Sequence, residues 1–280
     1  MAESSNGTGV RYASVLRTAW LTPHMIRVVL GGEGLAGFAA DTYTDHYVKL
    51  IFPPAGVDYP VPLDLDMVKR ELPRDQWPRL RTYTVRAWDA VARELTLDFV
   101  YHGDEGLAGP WAAAARPGDR VMFRGPGGGY APDPLADWHL LVGDESALPA
   151  IGAALERLPY AAPARVFLEV DGPAEEQHLG TEADAEIVWV HRAGRVVGEA
   201  LVEAVRAATF PAGQPHAFVH GEAYFVRELR RMLRGELRVP KERLSISGYW
   251  RRGDDDESWR SAKPDWNRQV EAEESAVVVG

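Results

Sequence analysis

The tetrapeptide Arg81-Thr82-Tyr83-Thr84 combines a charged fork, a flat ring and two hydroxyl groups. A guanidinium can donate two parallel charged hydrogen bonds to a pyrophosphate, which the compact ammonium of a lysine cannot do. A tyrosine ring can lie beside a flat heterocycle. These residue types suit a flavin nucleotide, although the tetrapeptide alone fits a surface arginine on an exposed strand better.

Residues 98–112 change that balance. They run from a predicted strand through small residues, Gly106 to Gly109, into what is predicted to be the start of a helix. The first backbone N–H groups of a helix have no partner within the helix, and small side chains leave them open to an anion. The segment therefore suits the pyrophosphate of a dinucleotide.

A third segment, residues 143–151, follows the apolar run 139–142. If that run is a strand of a parallel sheet, the segment lies at the carboxyl end of the strand, where such sheets bind ligands. The pattern Gly-x-Gly-x-x-Gly is absent. The alternative interpretation is an ordinary helix cap by Asp144 or Ser146.

The first half of the chain must position the flavin residues, and it reads as short extended runs separated by turns, which predicts an antiparallel barrel or sandwich. Residues 57–78 lack periodicity and carry four prolines, so we expect a long loop there. Residues 125–134 are rich in Gly and Pro and predict a domain boundary with no regular element. The predicted strands cover residues 13–16, 25–30, 47–52, 81–87, 94–101 and 120–124.

Beyond that boundary, buried apolar runs alternate with helical stretches, which predicts a parallel sheet with covering helices. The predicted strands are residues 139–142, 165–170, 186–190, 217–220 and 244–249, and the predicted helices are residues 147–158, 197–208 and 223–233. The charged tail, residues 253–274, predicts a short amphipathic helix or a docked arm.

Composition limits the function further. A chain of 280 residues with 46% hydrophobic content can form two compact domains. It has no cysteine, and none of its eight histidines shows metal-ligand spacing, so we expect no protein metal site. A net charge of -10 argues against general nucleic-acid binding. Because residues 1–9 do not resemble a signal peptide and no run of 18 apolar residues occurs, we expect a cytoplasmic protein without a membrane span.

The chain resembles a known family, the siderophore-interacting proteins or ferric-siderophore reductases, within the ferredoxin-reductase-like flavoproteins. Residues 81–84 resemble the family's Arg-x-Tyr-Thr motif, and Asp98 and His102 resemble its Asp-x-x-x-His pair. Residues 106–112 resemble its Gly-Pro-Ala-Ser-x-Trp-Ala loop, and residues 143–150 its Gly-Asp-Glu-Thr-Ala-Leu-Pro-Ala segment. Nearly the whole chain is covered.

The loop departs from the family pattern at two places. Leu107 stands where proline is usual, and Gly109-Pro110 replaces the serine and its neighbour. A hydroxyl contact to phosphate is therefore not expected, whereas a glycine N–H can still donate.

The resemblance implies a fold class: an all-β antiparallel FAD-binding barrel, residues 10–135, followed by an α/β parallel-sheet domain that binds NADH or NADPH, residues 136–280 with the C-terminal arm. It implies FAD contacts from Arg81, Thr82, Tyr83, Thr84, Asp98, His102, Ala108, Gly109 and Trp111. It implies nicotinamide-nucleotide contacts from Asp144, Glu145, Ser146, Ala147, Tyr249 and Trp250. His220 and Glu222 could also reach that nucleotide, and Glu169 and Asp171 could favour NADH by repelling a 2′-phosphate.

The implied activity is reduction of Fe(III) in a siderophore, with Fe(II) as the released product, by a monomer that needs no catalytic acid or base. Ferredoxin is an alternative electron donor. The resemblance implies that Lys49, Arg124, Arg251 and Arg252 attract the anionic complex; the alternative is four unrelated surface cations, and the choice between Arg251 and Arg252 stays open. Two rival functions remain, a flavin- or ferredoxin-linked reductase with another acceptor and a non-enzymatic siderophore-binding protein.

Overall fold

The computed structural model describes residues 9–279, with side-chain surroundings given as far as residue 274. The prediction for the N-terminal segment therefore lies mostly outside the described residues. The chain divides into two compact units between Gly129 and Tyr130, within the run of Gly and Pro from residue 125 to 134. Among the described residues, no helix is both long and apolar enough to span a membrane.

The first unit is a closed barrel of six antiparallel strands. Its order is β1-β2-β5-β4-β3-β6. The strands are β1 (Arg11–Thr22), β2 (Met25–Gly31), β3 (Tyr47–Phe52), β4 (Arg79–Asp89), β5 (Glu94–Val100) and β6 (Arg120–Gly127). The predicted antiparallel barrel is confirmed.

Alternation along β5 explains the barrel core. Leu95, Leu97 and Phe99 are fully buried on one face, as expected for a strand whose successive side chains point to opposite faces. Helix α2 (Ala108–Ala114) adds Ala108 and Ala112 to the same apolar core. The helix that follows β5 is therefore fixed against the barrel by its small residues.

Two predictions for the barrel were wrong. The expected loop at residues 57–78 contains helix α1 (Leu65–Glu71), where Asp64 accepts hydrogen bonds from the N–H groups of Asp66 and Met67. Leu65 and Val68 bury one side of this helix, but a seven-residue helix is too short to give a clear period. Strand β6 also continues to Gly127, which pairs with Tyr47 of β3, into the run that we expected to be irregular.

The second unit is a five-stranded parallel sheet with helices, as predicted. Its strand order is β11-β10-β7-β8-β9. The strands are β7 (Trp138–Gly143), β8 (Pro163–Val170), β9 (Asp184–His191), β10 (Pro215–Glu222) and β11 (Leu244–Trp250). The helices are α3 (Leu148–Leu155), α4 (Glu199–Ala207), α5 (Ala223–Arg231) and α6 (Asp256–Val279).

Strand β7 is central to this sheet and is buried on both faces. Leu140 and Val142 belong to one apolar cluster, and Leu141 belongs to another. The chain order reverses between β7 and β10, and the crevice outside the carboxyl ends at such a reversal is the usual ligand site of open α/β sheets. The fold therefore directs attention to Gly143 and the residues that follow it.

The C-terminal tail forms one helix rather than the short one expected. Helix α6 is 24 residues long and continues through Pro264. It is docked, as predicted: Glu273 pairs with Arg227 of α5, and Glu274 pairs with Arg230 and Arg234. Ion pairs along its far end thus hold the arm against α5 and the turn that follows it.

Candidate functional site

The flavin tetrapeptide lies on β4. Its four residues pair with Leu50, Lys49, Val48 and Tyr47 of β3, in that order. On the other side, the pairing of β4 with β5 begins only at Val85 and Leu97. The tetrapeptide therefore occupies the part of β4 that lies beyond its ladder with β5, where an edge can face a ligand.

The ring of Tyr83 lies against an aromatic group in the barrel. Its centroid is 4.1 Å from that of Phe99, and Phe99 is 5.6 Å from Trp111 of α2. Trp111 also contacts Phe52 of β3, at 5.8 Å. Packing therefore fixes Tyr83 and Trp111, two of the predicted FAD residues, relative to each other.

The three polar residues of the tetrapeptide differ in their surroundings. Arg81 is half-buried and donates one hydrogen bond to the carbonyl oxygen of Leu80 at 3.0 Å. Thr82 is exposed, whereas Thr84 is buried. The structure thus presents the guanidinium of Arg81 and the hydroxyl of Thr82 at the barrel surface more than that of Thr84.

Asp98 is held by a residue that the sequence analysis missed, Arg27 of β2. The two carboxylate oxygens accept from Arg27 at 2.7 and 2.8 Å, and Asp98 is only 3% exposed. The only signal in the sequence was a charged residue inside the otherwise apolar strand β2, and its position opposite Asp98 comes from the strand register in the structure. His102 lies exposed on the turn after β5.

Helix α2 begins at Ala108, where the sequence predicted a helix start. A Cβ on Gly109 would lie 3.1 Å from the carbonyl oxygen of Val100 and 3.8 Å from the ring of Tyr101. Gly109 therefore allows the first turn of α2 to approach the end of β5 closely, in addition to any contact with phosphate.

Just after β7, the buried carboxylate of Asp144 accepts hydrogen bonds from its own loop and from the ends of β10 and β11. Its carboxylate accepts from Ser146 N at 2.9 Å and Ser146 Oγ at 2.5 Å, from Glu222 N at 2.9 Å and from Trp250 Nε1 at 2.8 Å. Burial, followed by the nearby charge of Glu145, raises the pKa of Asp144 to about 6. Asp144, Ser146 and Trp250 thus meet in one network, and the carboxylate is turned inward; Ala147 beside it is also fully buried.

Gly221 makes this network possible. Its φ of +138° is in the region that favours glycine, and a Cβ there would lie 2.7 Å from the carboxylate of Asp144. The ends of β7, β10 and β11 are therefore tied together at the point where the strand order reverses.

Glu145 pairs with a second residue that the sequence analysis missed, Arg192 after β9. Their two hydrogen bonds measure 2.8 and 2.5 Å, and both side chains are mostly buried. Arg192 also lies 3.7 Å from the partly exposed Asp171. This ion pair crosses the carboxyl edge of the sheet from β7 to β9.

Three other residues that were suggested for the nucleotide are buried. Glu169 is fully buried and accepts from Gly198 N at 2.8 Å, and burial raises its pKa to about 7, so it is not placed to repel a 2′-phosphate. His220 is buried against Phe218 at 3.9 Å and Tyr249 at 4.9 Å. Glu222 is 4% exposed and caps α5.

The two basic residues of the barrel that were assigned to the siderophore, Lys49 and Arg124, lie side by side on neighbouring strands. Lys49 of β3 lies directly opposite Thr82 of β4 and opposite Arg124 of β6, so the three side chains emerge on one face. Lys49 Nζ also lies 5.8 Å from the ring centroid of Tyr47.

The structure of the second unit distinguishes between Arg251 and Arg252, the two arginines between which the sequence could not decide. Arg251 donates to Asp254 at 2.7 Å and stacks over Trp259 at 5.3 Å, whereas Arg252 is exposed. Arg252 is thus the better candidate for an external anion. Within the described residues, no three His, Asp or Glu side chains are grouped to hold a metal ion.

Three relatives match nearly the whole chain. A Mycobacterium tuberculosis protein of uncharacterised function is 47% identical over 94% of this chain and 96% of its own. Ferric vibriobactin reductase ViuB of Vibrio cholerae is 35% identical, over 90% of this chain and 93% of its own. NADPH-dependent ferric-chelate reductase of Escherichia coli is 31% identical, over 88% and 94%.

Solved structures agree with this relationship. The siderophore utilization protein of T. fusca superposes with a TM-score of 0.77 at 39% identity, covering 88% of this chain and 94% of that one. A ferredoxin reductase of carbazole 1,9a-dioxygenase, at 15% identity and a TM-score of 0.64, covers 86% of this chain and 69% of its own, and shares the fold alone. The ferredoxin-reductase-like fold class is thereby confirmed.

Two family models divide the chain between them. The siderophore-interacting FAD-binding domain matches residues 14–130, and the siderophore-interacting protein model matches residues 136–253. The barrel is accordingly an FAD-binding domain of an oxidoreductase type, and the chain belongs to the siderophore-interacting protein family.

Proposed function

We propose that this protein is an FAD-dependent oxidoreductase that reduces Fe(III) held in a siderophore, with NADH or NADPH as the electron donor. The observation that carries the proposal is the similarity to ferric vibriobactin reductase, which extends over 90% of this chain and so includes both units. The match of residues 14–130 to the FAD-binding domain supports the cofactor.

The residues of the barrel fit FAD. Arg81 supplies a charged fork on β4, and Tyr83 supplies a ring that Phe99 supports from behind at 4.1 Å. The close approach of Gly109 to β5 brings the start of α2 near the same strand. When bound, FAD would supply the conversion of a two-electron donor into single electrons for iron. The role of the chain is to bind and orient the ring systems.

The substrate is proposed to be an anionic ferric siderophore. In a protein of net charge -10, the row of Lys49 and Arg124 beside Thr82 would create a local positive field that attracts such a complex. Arg252, which is exposed in the second unit, is proposed as a separate cation for the anionic complex, and Arg251 is proposed to support its turn through Asp254. Fe(II) binds hard oxygen donors less tightly than Fe(III), so reduction favours release of the metal.

The nicotinamide donor is proposed to bind at the carboxyl edge of the second unit. Because Asp144 is turned inward, we propose that Asp144, Ser146 and Trp250 act by holding the loop in shape. Ala147 is proposed to support the loop from the apolar core, and Glu145 and Tyr249 to line the approach of the nucleotide. The E. coli relative is NADPH-dependent by name, which supports a nicotinamide donor over ferredoxin. We propose a cytoplasmic location, where nicotinamide nucleotides are available.

The cofactor assignment is tested by FAD content after gel filtration. Wild-type protein is expected to retain FAD, Arg81→Ala to lose it, and Arg81→Lys to fall between, because lysine keeps the charge without the fork; hydrogen bonds to charged groups contribute about 1.5–3 kcal/mol. Full FAD retention by Arg81→Ala would exclude Arg81 from the site. A wild-type protein that takes up no FAD but binds the ferric siderophore would favour the non-enzymatic binding protein.

A further inference from the structure

One end of the β1–β2 pair carries an aromatic side chain that the core does not use. Strand β6 pairs with β1 only at residues 11–14, so the far half of β1 pairs with β2 alone. Residues 16–20 are exposed, and Trp20 among them is 53% exposed. A tryptophan on an exposed strand end is a surface available for stacking on another ring.

Trp20 stands next to a second aromatic ring, Tyr101. Their centroids are 5.2 Å apart with an interplanar angle of 88°, an edge-to-face pair. Tyr101 is fixed in turn, because its backbone N–H donates to the carbonyl oxygen of His24 at 2.9 Å. The Trp20–Tyr101 pair therefore has a defined position at the end of β5.

That position adjoins the start of α2. The ring of Tyr101 lies 3.8 Å from the point where a Cβ on Gly109 would be. The other aromatic group begins on the same strand: Phe99, two residues before Tyr101, contacts Tyr83. The start of α2 thus has one aromatic surface at Tyr83 and a separate one at Trp20 and Tyr101.

A dinucleotide has the same arrangement, with a flat ring at each end and a pyrophosphate in the middle. We propose that Trp20, supported by Tyr101, is the stacking surface for the adenine ring of FAD. The inference rests on the proposed binding of FAD, with Tyr83 beside the isoalloxazine and Gly109 near the pyrophosphate. Stacking of one base on an aromatic side chain contributes about 5- to 150-fold in affinity.

The test compares FAD with FMN, which has the same isoalloxazine but no adenine. Dissociation constants for both are measured by titration of the flavin-free protein. Trp20→Ala is expected to weaken the affinity for FAD about tenfold and to leave the affinity for FMN unchanged. Trp20→Phe, which keeps an aromatic ring, is expected to bind FAD almost as tightly as the wild type. Tyr160→Ala, which removes an aromatic side chain that is 83% exposed in the second unit, is the matched control and should change neither constant.

Each other outcome is decisive. If Trp20→Ala binds FAD as tightly as wild type, or if FAD and FMN weaken equally, Trp20 does not bind adenine. In that case Trp20 serves another contact, while the proposed function stands. If the wild-type protein binds neither flavin, the proposed function fails together with the adenine site.

Discussion

Replacing Trp250 by phenylalanine removes one hydrogen bond from the buried Asp144 and keeps an aromatic ring in place. Trp250 Nε1 donates to Asp144 Oδ2 at 2.8 Å, and the same oxygen accepts from Glu222 N at 2.9 Å. The substitution therefore weakens the support of one carboxylate without removing all of it. We expect a folded protein with a less stable second unit.

The size of the effect depends on pH. Burial raises the pKa of Asp144 to about 6, so the carboxyl is ionised at pH 8 and about nine-tenths protonated at pH 5. A hydrogen bond to a charged group contributes about 1.5–3 kcal/mol, and one to a neutral group about 0.5–1.5 kcal/mol. Since the lost donor stabilises the ionised form, Trp250→Phe should cost about 2 kcal/mol at pH 8 and about 1 kcal/mol at pH 5.

The sign follows from linkage. A buried acid with a raised pKa makes the folded state less stable as pH rises from the unfolded value of about 4 toward 6. Trp250→Phe raises the pKa of Asp144 further, so the folded state of the variant goes on losing stability up to a higher pH than the wild type does. The assay is urea unfolding at pH 5 and pH 8, followed by far-ultraviolet circular dichroism.

Trp138→Phe is the matched control in the same unit. Trp138 is buried more completely than Trp250, and its Nε1 donates to a neutral acceptor, the carbonyl oxygen of Gly213, at 3.3 Å. Its cost should be the same at both pH values. Equal costs of Trp250→Phe at pH 5 and pH 8 would show that the Trp250 donor does not stabilise an ionised Asp144.

Two other predictions concern charge. Lys49→Ala with Arg124→Ala should raise the KM for an anionic ferric siderophore and flatten its salt dependence, because the wild-type attraction is electrostatic and the Debye length falls to ~3 Å at about 1 M salt. An unchanged KM and salt slope would make these residues ordinary surface cations. Burial, followed by the charge of His216, lowers the pKa of His139 to about 4. The unfolded chain therefore takes up a proton on this histidine near pH 6.5, whereas the folded protein does not, so the folded state loses stability as the pH falls from about 6.5 toward 4. His139→Leu should therefore lose less stability between pH 7 and pH 5 than wild type, by about 1–2 kcal/mol, in the same unfolding assay, and an equal loss in both proteins would contradict the shift.

The type of each sheet could be predicted from the sequence because the hydrophobic patterns of their strands differ. Alternation in β5 and the two-sided apolar runs of β7 and β8 are local patterns, so antiparallel barrel and parallel sheet could each be predicted. Helix α1 could not, because only Leu65 and Val68 show its buried side. The length of α6 was missed because Pro264 suggested an end, whereas ion pairs of Glu273 and Glu274 extend the docked helix.

The candidate site was predictable as segments and not as contacts. Asp144 was found as a ligand candidate from its position after β7, but its inward direction depends on Trp250, which is 106 residues away. Arg27 and Arg192 were missed for the same reason, since each pairs with a carboxylate that is distant in the chain. Such pairings follow from strand register, which a single sequence does not give.

Electrons are proposed to pass from a nicotinamide nucleotide through FAD to siderophore-bound iron. The most direct measurement is anaerobic mixing of the FAD-loaded protein with NADH or NADPH and then with a ferric siderophore, while flavin absorbance and chelator-captured Fe(II) are recorded. The nucleotide is expected to bleach the flavin, and the ferric complex is expected to restore the flavin absorbance with release of about two Fe(II) per FAD. A flavin that the nucleotide reduces but that stays bleached in the presence of ferric siderophores would contradict the assigned substrate.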